Sequence, residues 1–237
     1  MDHRLNVRIM KDITEFHPEN TIIPGHVGLI PDGGRRWAEK NGVSLADSYQ
    51  KTTTILKSFC SYLFDEGVNE ISIYLSSIQN FRRQQSEREA FNKVSENAFG
   101  KEILQLAEDK HVRIVMAGSR EILTKEYLKA IEFVEARTSG FSSRTINLCI
   151  AYNPLEELFL AFSKSETNSG LLKNLWVKTP LHLIIRSGGA NLLSNFLPLQ
   201  SGFARLYFFD KLFNELTIND IQGIMTEFMM LDRKFGT

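Results

Sequence analysis

The sequence predicts an α/β fold, a mostly parallel central β-sheet of about six strands flanked by helices, and three observations carry the prediction. Short β-rich runs alternate along the chain with longer segments of helical period. The runs are almost continuously apolar, as strands covered on both faces must be. With 237 residues, 43% of them hydrophobic, the chain can bury roughly 70% of its extended surface in one domain without metal or disulfide staples.

The predicted strands are 26–30, 70–76, 112–117, 145–152, 181–186 and 205–209. Between the first two, the segment 48–66 sets Ile55, Leu56, Phe59, Tyr62 and Leu63 on one helical face and stops at Gly67, a ready left-handed C-cap. Apolar residues at Phe91, Val94, Ala98, Ile103 and Leu106 predict one long helix over 85–110 with a kink at Gly100. Further amphipathic helices are expected over 121–138 and 155–165, and Thr217 with Asp220 forms a capping-box signature opening a last helix to Lys234. The polar stretch 166–178 reads as a surface loop, with Leu171, Leu172, Leu175 and Trp176 as a short docked helix. The division is an N-terminal extension, 1–25, and a single domain, 26–237.

Lys plus Arg and Asp plus Glu both total 28, so no global field attracts nucleic acid or an anionic membrane, and an anion site has to be built locally. Only Cys60 and Cys149 are present, each within an apolar run, which excludes a disulfide framework or zinc set and fits a reducing, cytoplasmic setting. No apolar run approaches the roughly 18 residues that span a bilayer, and 1–20 lacks a secretory apolar core.

Local anion chemistry concentrates after three predicted strands. Pro31, Asp32, Gly33, Gly34, Arg35, Arg36 and Trp37 follow the first strand at the carboxyl edge, where open α/β sheets bind ligands. The glycines let backbone N–H groups approach an anion, a following helix N-terminus adds positive potential, and the arginines supply forked donors. Asp32 beside such donors repels a phosphate unless a divalent cation bridges them or an arginine pairs with it, which points to Mg²⁺. Ser77, Asn80, Phe81, Arg82 and Arg83 follow the second strand, and Arg186, Ser187, Gly188 and Gly189, with Ser194 and Asn195, follow the fifth. Any one of these is readable as a solvated turn; three Arg-bearing loops on one sheet edge favour an anion pocket.

These residues resemble the cis-prenyltransferases, the undecaprenyl diphosphate synthase superfamily. His26 through Ala38 is similar to the hallmark His-Val-x-x-Ile-x-Asp-Gly-Asn-Gly-Arg-Trp-Ala. Ser77, Asn80 and Arg83 match Ser-x-x-Asn-Trp-x-Arg, 186–196 matches Arg-x-Gly-Gly-x-x-Arg-x-Ser-Asn-Phe, and 233–236 matches Arg-Arg-Phe-Gly. The stretch from Pro31 to Leu45 is most similar to the irregular cyclolavandulyl and lavandulyl diphosphate synthase branch. The resemblance implies a cis-prenyltransferase-like fold, a homodimer, and Mg²⁺ held at Asp32 on an allylic diphosphate. It also implies that Gly33, Gly34, Arg35 and Arg36 cradle the phosphates, that Arg83 draws the leaving group away and that Asn80 positions the departing proton. Ser77, Phe81, Arg186 and Ser194 join the substrate-binding set, and Tyr74, Phe81, Leu56 and Phe59 are candidate apolar walls that are more readily readable as core.

Departures from the pattern bear on the reaction. Leu45 and Tyr49 stand where chain elongators carry Arg and His, which argues against processive elongation. In the acceptor site Leu192 replaces an Arg and Arg205 replaces the Mg²⁺-binding Glu, so Arg205 is a candidate phosphate ligand and metal in that site is in question. Three readings stand at this point: irregular head-to-middle coupling of short prenyl diphosphates, a single-substrate cyclase or lyase, and a non-catalytic partner subunit.

Overall fold

The computed structural model describes residues 22–82, 92–94, 99–165 and 168–231. Its order is β1 (His26–Ile30), α1 (Gly34–Asn41), α2 (Leu45–Asp65), β2 (Glu70–Tyr74) and a 3₁₀ turn, Ile78–Arg82. A π-turn, Phe99–Ile103, runs into α3 (Leu104–Lys110), followed by β3 (Val112–Ala117), α4 (Lys125–Thr138) and β4 (Arg144–Cys149). Then come α5 (Pro154–Ser163), α6 (Asn168–Asn174), β5 (Leu183–Arg186), β6 (Arg205–Phe208), a 3₁₀ turn (Phe213–Glu215) and α7 (Ile218–Met230).

All six strands are parallel, in the order β3-β4-β2-β1-β5-β6. The chain leaves β1 toward β2 on one side and leaves β5 toward β6 on the other, so β1 and β5 flank the topological switch point. Ile30 is level with Arg186 and Leu29 with Ile73, which brings the exits of β5, β1 and β2 to one edge.

Side-chain alternation along β1 feeds two cores. Val27 and Leu29 join Leu56, Phe59 and Leu63 of α2, Ile131 of α4 and Phe228 of α7. Ile30 faces the other way, with Cys149, Tyr152, Ile184 and Phe196. Gly28 shares that second face because a Cβ there would lie 2.8 Å from the Phe196 ring. A buried polar group bridges the sheet's central strands: His26 Nε2 meets Ser72 Oγ at 2.8 Å, and Asn147 Nδ2 donates to Glu70 Oε1 (2.6 Å) and Ser72 Oγ (3.1 Å).

Several boundaries differ from the sequence reading for local reasons. The ladder at the ends of β2 and β4 breaks where the Leu75 and Ser76 amides both donate to the Cys149 carbonyl, and Ala151 adopts φ 50. Helix α2 begins three residues early because Ser44 caps it, accepting from the Asp47 amide at 3.1 Å. Helix α4 begins late, at the Thr124 cap, after a turn closed by the Leu123 amide on the Arg120 carbonyl. The expected kink at Gly100 is a π-turn. Most of the 85–98 part of the helix expected over 85–110, Arg83 and the 233–236 motif lie outside the described residues.

Candidate active site

Asp32 leaves β1 with its amide donating to the Ile30 carbonyl (3.0 Å) and to Ser187 Oγ (3.0 Å), which ties the β1 and β5 exits together. The next residue, Gly33, has φ 107, and a Cβ there would sit 2.8 Å from Leu212 Cδ2 and 3.2 Å from its Cα, so only glycine fits. The chain then turns into α1, whose start no side chain caps, leaving its first turn aimed at the carboxyl edge.

The Asp32 carboxylate is gripped from two directions. Arg36 Nη2 donates to Oδ1 at 3.3 Å and Arg186 Nη2 to Oδ2 at 2.9 Å. Arg36 Nη1 continues to the Gly188 carbonyl (2.9 Å), and Gly188, at φ 86, has no room for a Cβ, which would meet Arg36 Nη2 at 2.7 Å. Arg186 is buried, its side chain 7% exposed, and spends Nη1 on the Leu192 carbonyl (2.5 Å) and Ser194 Oγ (2.8 Å). It therefore braces the 192–195 loop against Asp32, whereas Arg36, at 55% exposure, presents its guanidinium to the opening. Ser194 and Asn195 hold left-handed backbone, φ 51 and 61, a conformation that non-glycine residues keep only where surroundings over-determine it.

The third wall follows β2. The Tyr74 hydroxyl donates to the Ser194 carbonyl at 3.0 Å, and burial raises its pKa. Asn80 Oδ1 accepts from both the amide (2.7 Å) and the hydroxyl (3.0 Å) of Ser77. An amide so engaged keeps Nδ2 as its remaining donor.

These loops enclose a cavity of about 750 Å³. Asp32, Gly33, Gly34, Arg35 and Arg36 line it from the β1 exit, Ser77 and Asn80 from the β2 exit, and Arg186 and Ser194 from the β5 exit. Phe81 is not in the lining, and Arg83 lies outside the described residues. Arg205 is not in the lining either: it opens β6 level with Leu183, while the cavity lies beyond the other end of the strand, where Phe208 meets Arg186. Its guanidinium therefore does not replace the missing cation of its own chain's cavity. Leu56 and Phe59 are core, 4% and 2% exposed, Phe59 packing edge-on against Phe213. Glu39 also lines the cavity, a residue that no sequence motif assigns to the site. Glu39 was detectable as the i+3 neighbour of Arg36 on α1.

Among the described residues no group of three His, Cys, Asp or Glu side chains can hold a metal. One carboxylate suffices for Mg²⁺ when substrate phosphates complete its shell. Asp32 meets that requirement, being 35% exposed, with each oxygen accepting a single guanidinium and keeping lone pairs to spare.

An uncapped helix start and paired arginines at the switch point of a parallel sheet define an anion-handling α/β enzyme. Residues 30–236 match the family model described as "Putative undecaprenyl diphosphate synthase". An isoprenyl transferase of Leptospira interrogans is 30% identical over 231 residues, covering 90% of this chain and 95% of its own. Among solved structures, a probable undecaprenyl diphosphate synthase from Campylobacter jejuni superposes with a TM-score of 0.74 at 27% identity, covering 90% of this chain and 99% of the other. The lavandulyl diphosphate synthase of Lavandula x intermedia, solved with dimethylallyl diphosphate, superposes with a TM-score of 0.85 at 24% identity over 91% of this chain and 99% of that one. The chain belongs to the undecaprenyl diphosphate synthase family, and it is an isoprenyl transferase of the prenyl diphosphate synthase type.

Proposed function

We propose that the enzyme ionises a short allylic diphosphate, dimethylallyl diphosphate or one slightly longer, and couples it head to middle to a second prenyl diphosphate in terpenoid biosynthesis. The observation that carries the reading is the convergence of the β1, β2 and β5 exits, with Asp32, Arg36, Asn80 and Arg186, on one cavity. Two further points support it: Tyr49 lines the cavity where elongating relatives carry a cationic side chain, and the Lavandula synthase of like fold was captured with dimethylallyl diphosphate.

In this reading the allylic C–O bond breaks with its electron pair leaving on the diphosphate, and the first turn of α1 with Arg36 stabilises that charge more than the ground state. Asp32 is the residue that would hold Mg²⁺, which when bound would supply further neutralisation of the leaving group. Tyr49 and Tyr74 offer aromatic faces to the allylic cation. The alkene of the second substrate then bonds to the cation, and a proton passes from the coupled cation to the released diphosphate, which restores a double bond. Asn80, with Oδ1 committed to Ser77, orients the diphosphate through Nδ2.

We also propose a homodimer. Leu155, Phe159 and Phe162 form an i, i+4, i+7 stripe on α5, each 70% exposed or more, and Phe203 and Leu206 add exposed apolar surface. No helix among the described residues is long and apolar enough to cross a membrane.

One observation favours a single-substrate cyclase or lyase as the second reading. Leu192 stands in the acceptor loop and Arg205 lies at the far strand end, so Arg186 is the acceptor loop's one arginine, and it is buried. Incubation with dimethylallyl diphosphate, with and without isopentenyl diphosphate, and with Mg²⁺ or chelator, followed by product mass analysis, tests both. A branched C10 diphosphate from the allylic substrate alone supports coupling; a C5 hydrocarbon or alcohol supports the second reading; long linear chains overturn both.

A further inference from the structure

Behind the phosphate-facing segment lies a buried polar network that does not line the cavity. Asn214, 3% exposed, donates from Nδ2 to both the carbonyl and the hydroxyl of Ser48, each at 3.0 Å, and its Oδ1 accepts from Thr52 Oγ1 at 2.7 Å. Ser48, fully buried, passes the connection on, its Oγ donating to the Gly34 carbonyl at 2.7 Å. The neighbours of Asn214 grip the same segment. The Phe213 amide donates to the Asp32 carbonyl at 3.0 Å, and Glu215 accepts from Lys40 at the end of α1 (2.6 Å) and from the Leu212 amide (3.1 Å).

Peptide planarity gives these contacts a directional consequence. In a trans peptide the C=O and the following N–H lie in one plane and point in opposite directions. A donor that pins the Asp32 carbonyl from behind therefore aims the Gly33 N–H forward, and one that pins the Gly34 carbonyl aims the Arg35 N–H forward. The Asp32 carbonyl is held twice, by Phe213 N–H and by Ser187 Oγ at 2.8 Å. Both pinned planes belong to residues that line the cavity.

We propose that the Phe213–Glu215 turn is a positioning element, with Asn214, Ser48 and Thr52 as its hub, and that it orients the peptide N–H groups of Gly33 and Arg35 toward a substrate diphosphate. This rests on the cavity being a diphosphate site, the reading given above. The network spans three elements, so it holds α1 to α2 and to the turn after β6 in one arrangement.

The test is calorimetric titration of inorganic pyrophosphate with Mg²⁺ into the purified wild-type enzyme and into Ser48→Ala, Thr52→Val, Thr52→Ser and Asn214→Leu, alongside melting temperatures and steady-state kinetics. Ser48→Ala and Asn214→Leu are expected to weaken pyrophosphate binding about three- to tenfold, the range for one or two lost hydrogen bonds, and to raise KM for the allylic substrate. Thr52→Ser, which keeps the hydroxyl, is expected to bind within about twofold of wild type, and Thr52→Val to fall with the other two. Folded Ser48→Ala and Thr52→Val that melt lower but bind pyrophosphate like wild type would overturn the proposal, because a purely structural network lowers stability and leaves affinity alone. A wild-type enzyme that binds no pyrophosphate would instead overturn the diphosphate site itself.

Discussion

Arg186 and Asp32, 154 positions apart in the chain, are joined Nη2 to Oδ2 at 2.9 Å across the switch point between β5 and β1. The contact is a structural member as much as a site feature, since Arg186 carries the 192–195 loop on its other nitrogen. Removing the buried guanidinium leaves a carboxylate, two-thirds covered, without its nearer partner. Arg186→Ala is expected to lower unfolding free energy by about 2–4 kcal/mol, below the upper range for buried pairs because Asp32 retains water contact. Urea midpoints check this, and a shift under about 0.5 kcal/mol would contradict it.

Arg36 should separate from Arg186 in the opposite sense. Its side chain is mostly exposed, so its pair with Asp32 contributes about 1 kcal/mol or less to stability. Facing the cavity, it should matter in the transition state: Arg36→Ala is expected to lower kcat/KM by about tenfold to a hundredfold with a near-native urea midpoint. Wild-type kinetics in that variant would remove Arg36 from the mechanism.

Stability should fall on mild acidification. Burial holds the His26 pKa below its ordinary 6.5, with Glu70 partly opposing. The imidazole is therefore neutral in the fold while the unfolded chain takes up a proton below about pH 6.5, so stability is full above that pH and declines as pH falls toward the folded value. The expected slope is at most about 1.4 kcal/mol per pH unit from this residue. Glu157 acts in the opposite direction: burial raises its pKa above 4.5, so its contribution is present at low pH and is lost as pH rises through the folded value. Urea unfolding of wild type and His26→Gln between pH 5 and 7.5 should show the acid-side slope shrinking in the variant.

The α5 stripe predicts association. Phe159 and Phe162 are 70% and 71% exposed, so Phe159→Glu with Phe162→Glu should leave the monomer fold intact and shift sedimentation from dimer to monomer. A wild-type monomer at the same concentration would contradict the dimer.

Much of the fold was legible because apolar runs and helical periods report on burial, and burial decides strands and helices. Strand ends were not, since they depend on hydrogen bonds such as the doubled acceptor at Cys149, which carry no periodicity. The convergence of the Asp32, Ser77 and Arg186 loops could be anticipated because parallel strands put all their exits on one edge. The family motif points Arg205 toward the acceptor site, whereas register puts it at the entrance of its strand. Leu56 and Phe59 could not be sorted between wall and core from sequence, since both demand an apolar side chain. Neither Asn214 nor Ser48 gave any signal: two polar residues 166 positions apart have no pattern until the fold joins them.

The most direct measurement is the ratio of inorganic pyrophosphate released to dimethylallyl diphosphate consumed when that compound is the only prenyl substrate. Coupling within the cavity predicts one pyrophosphate for every two substrate molecules, with the other diphosphate retained in the product. One for one would contradict coupling in favour of single-substrate chemistry, and no release until isopentenyl diphosphate is added would mark a conventional elongating enzyme.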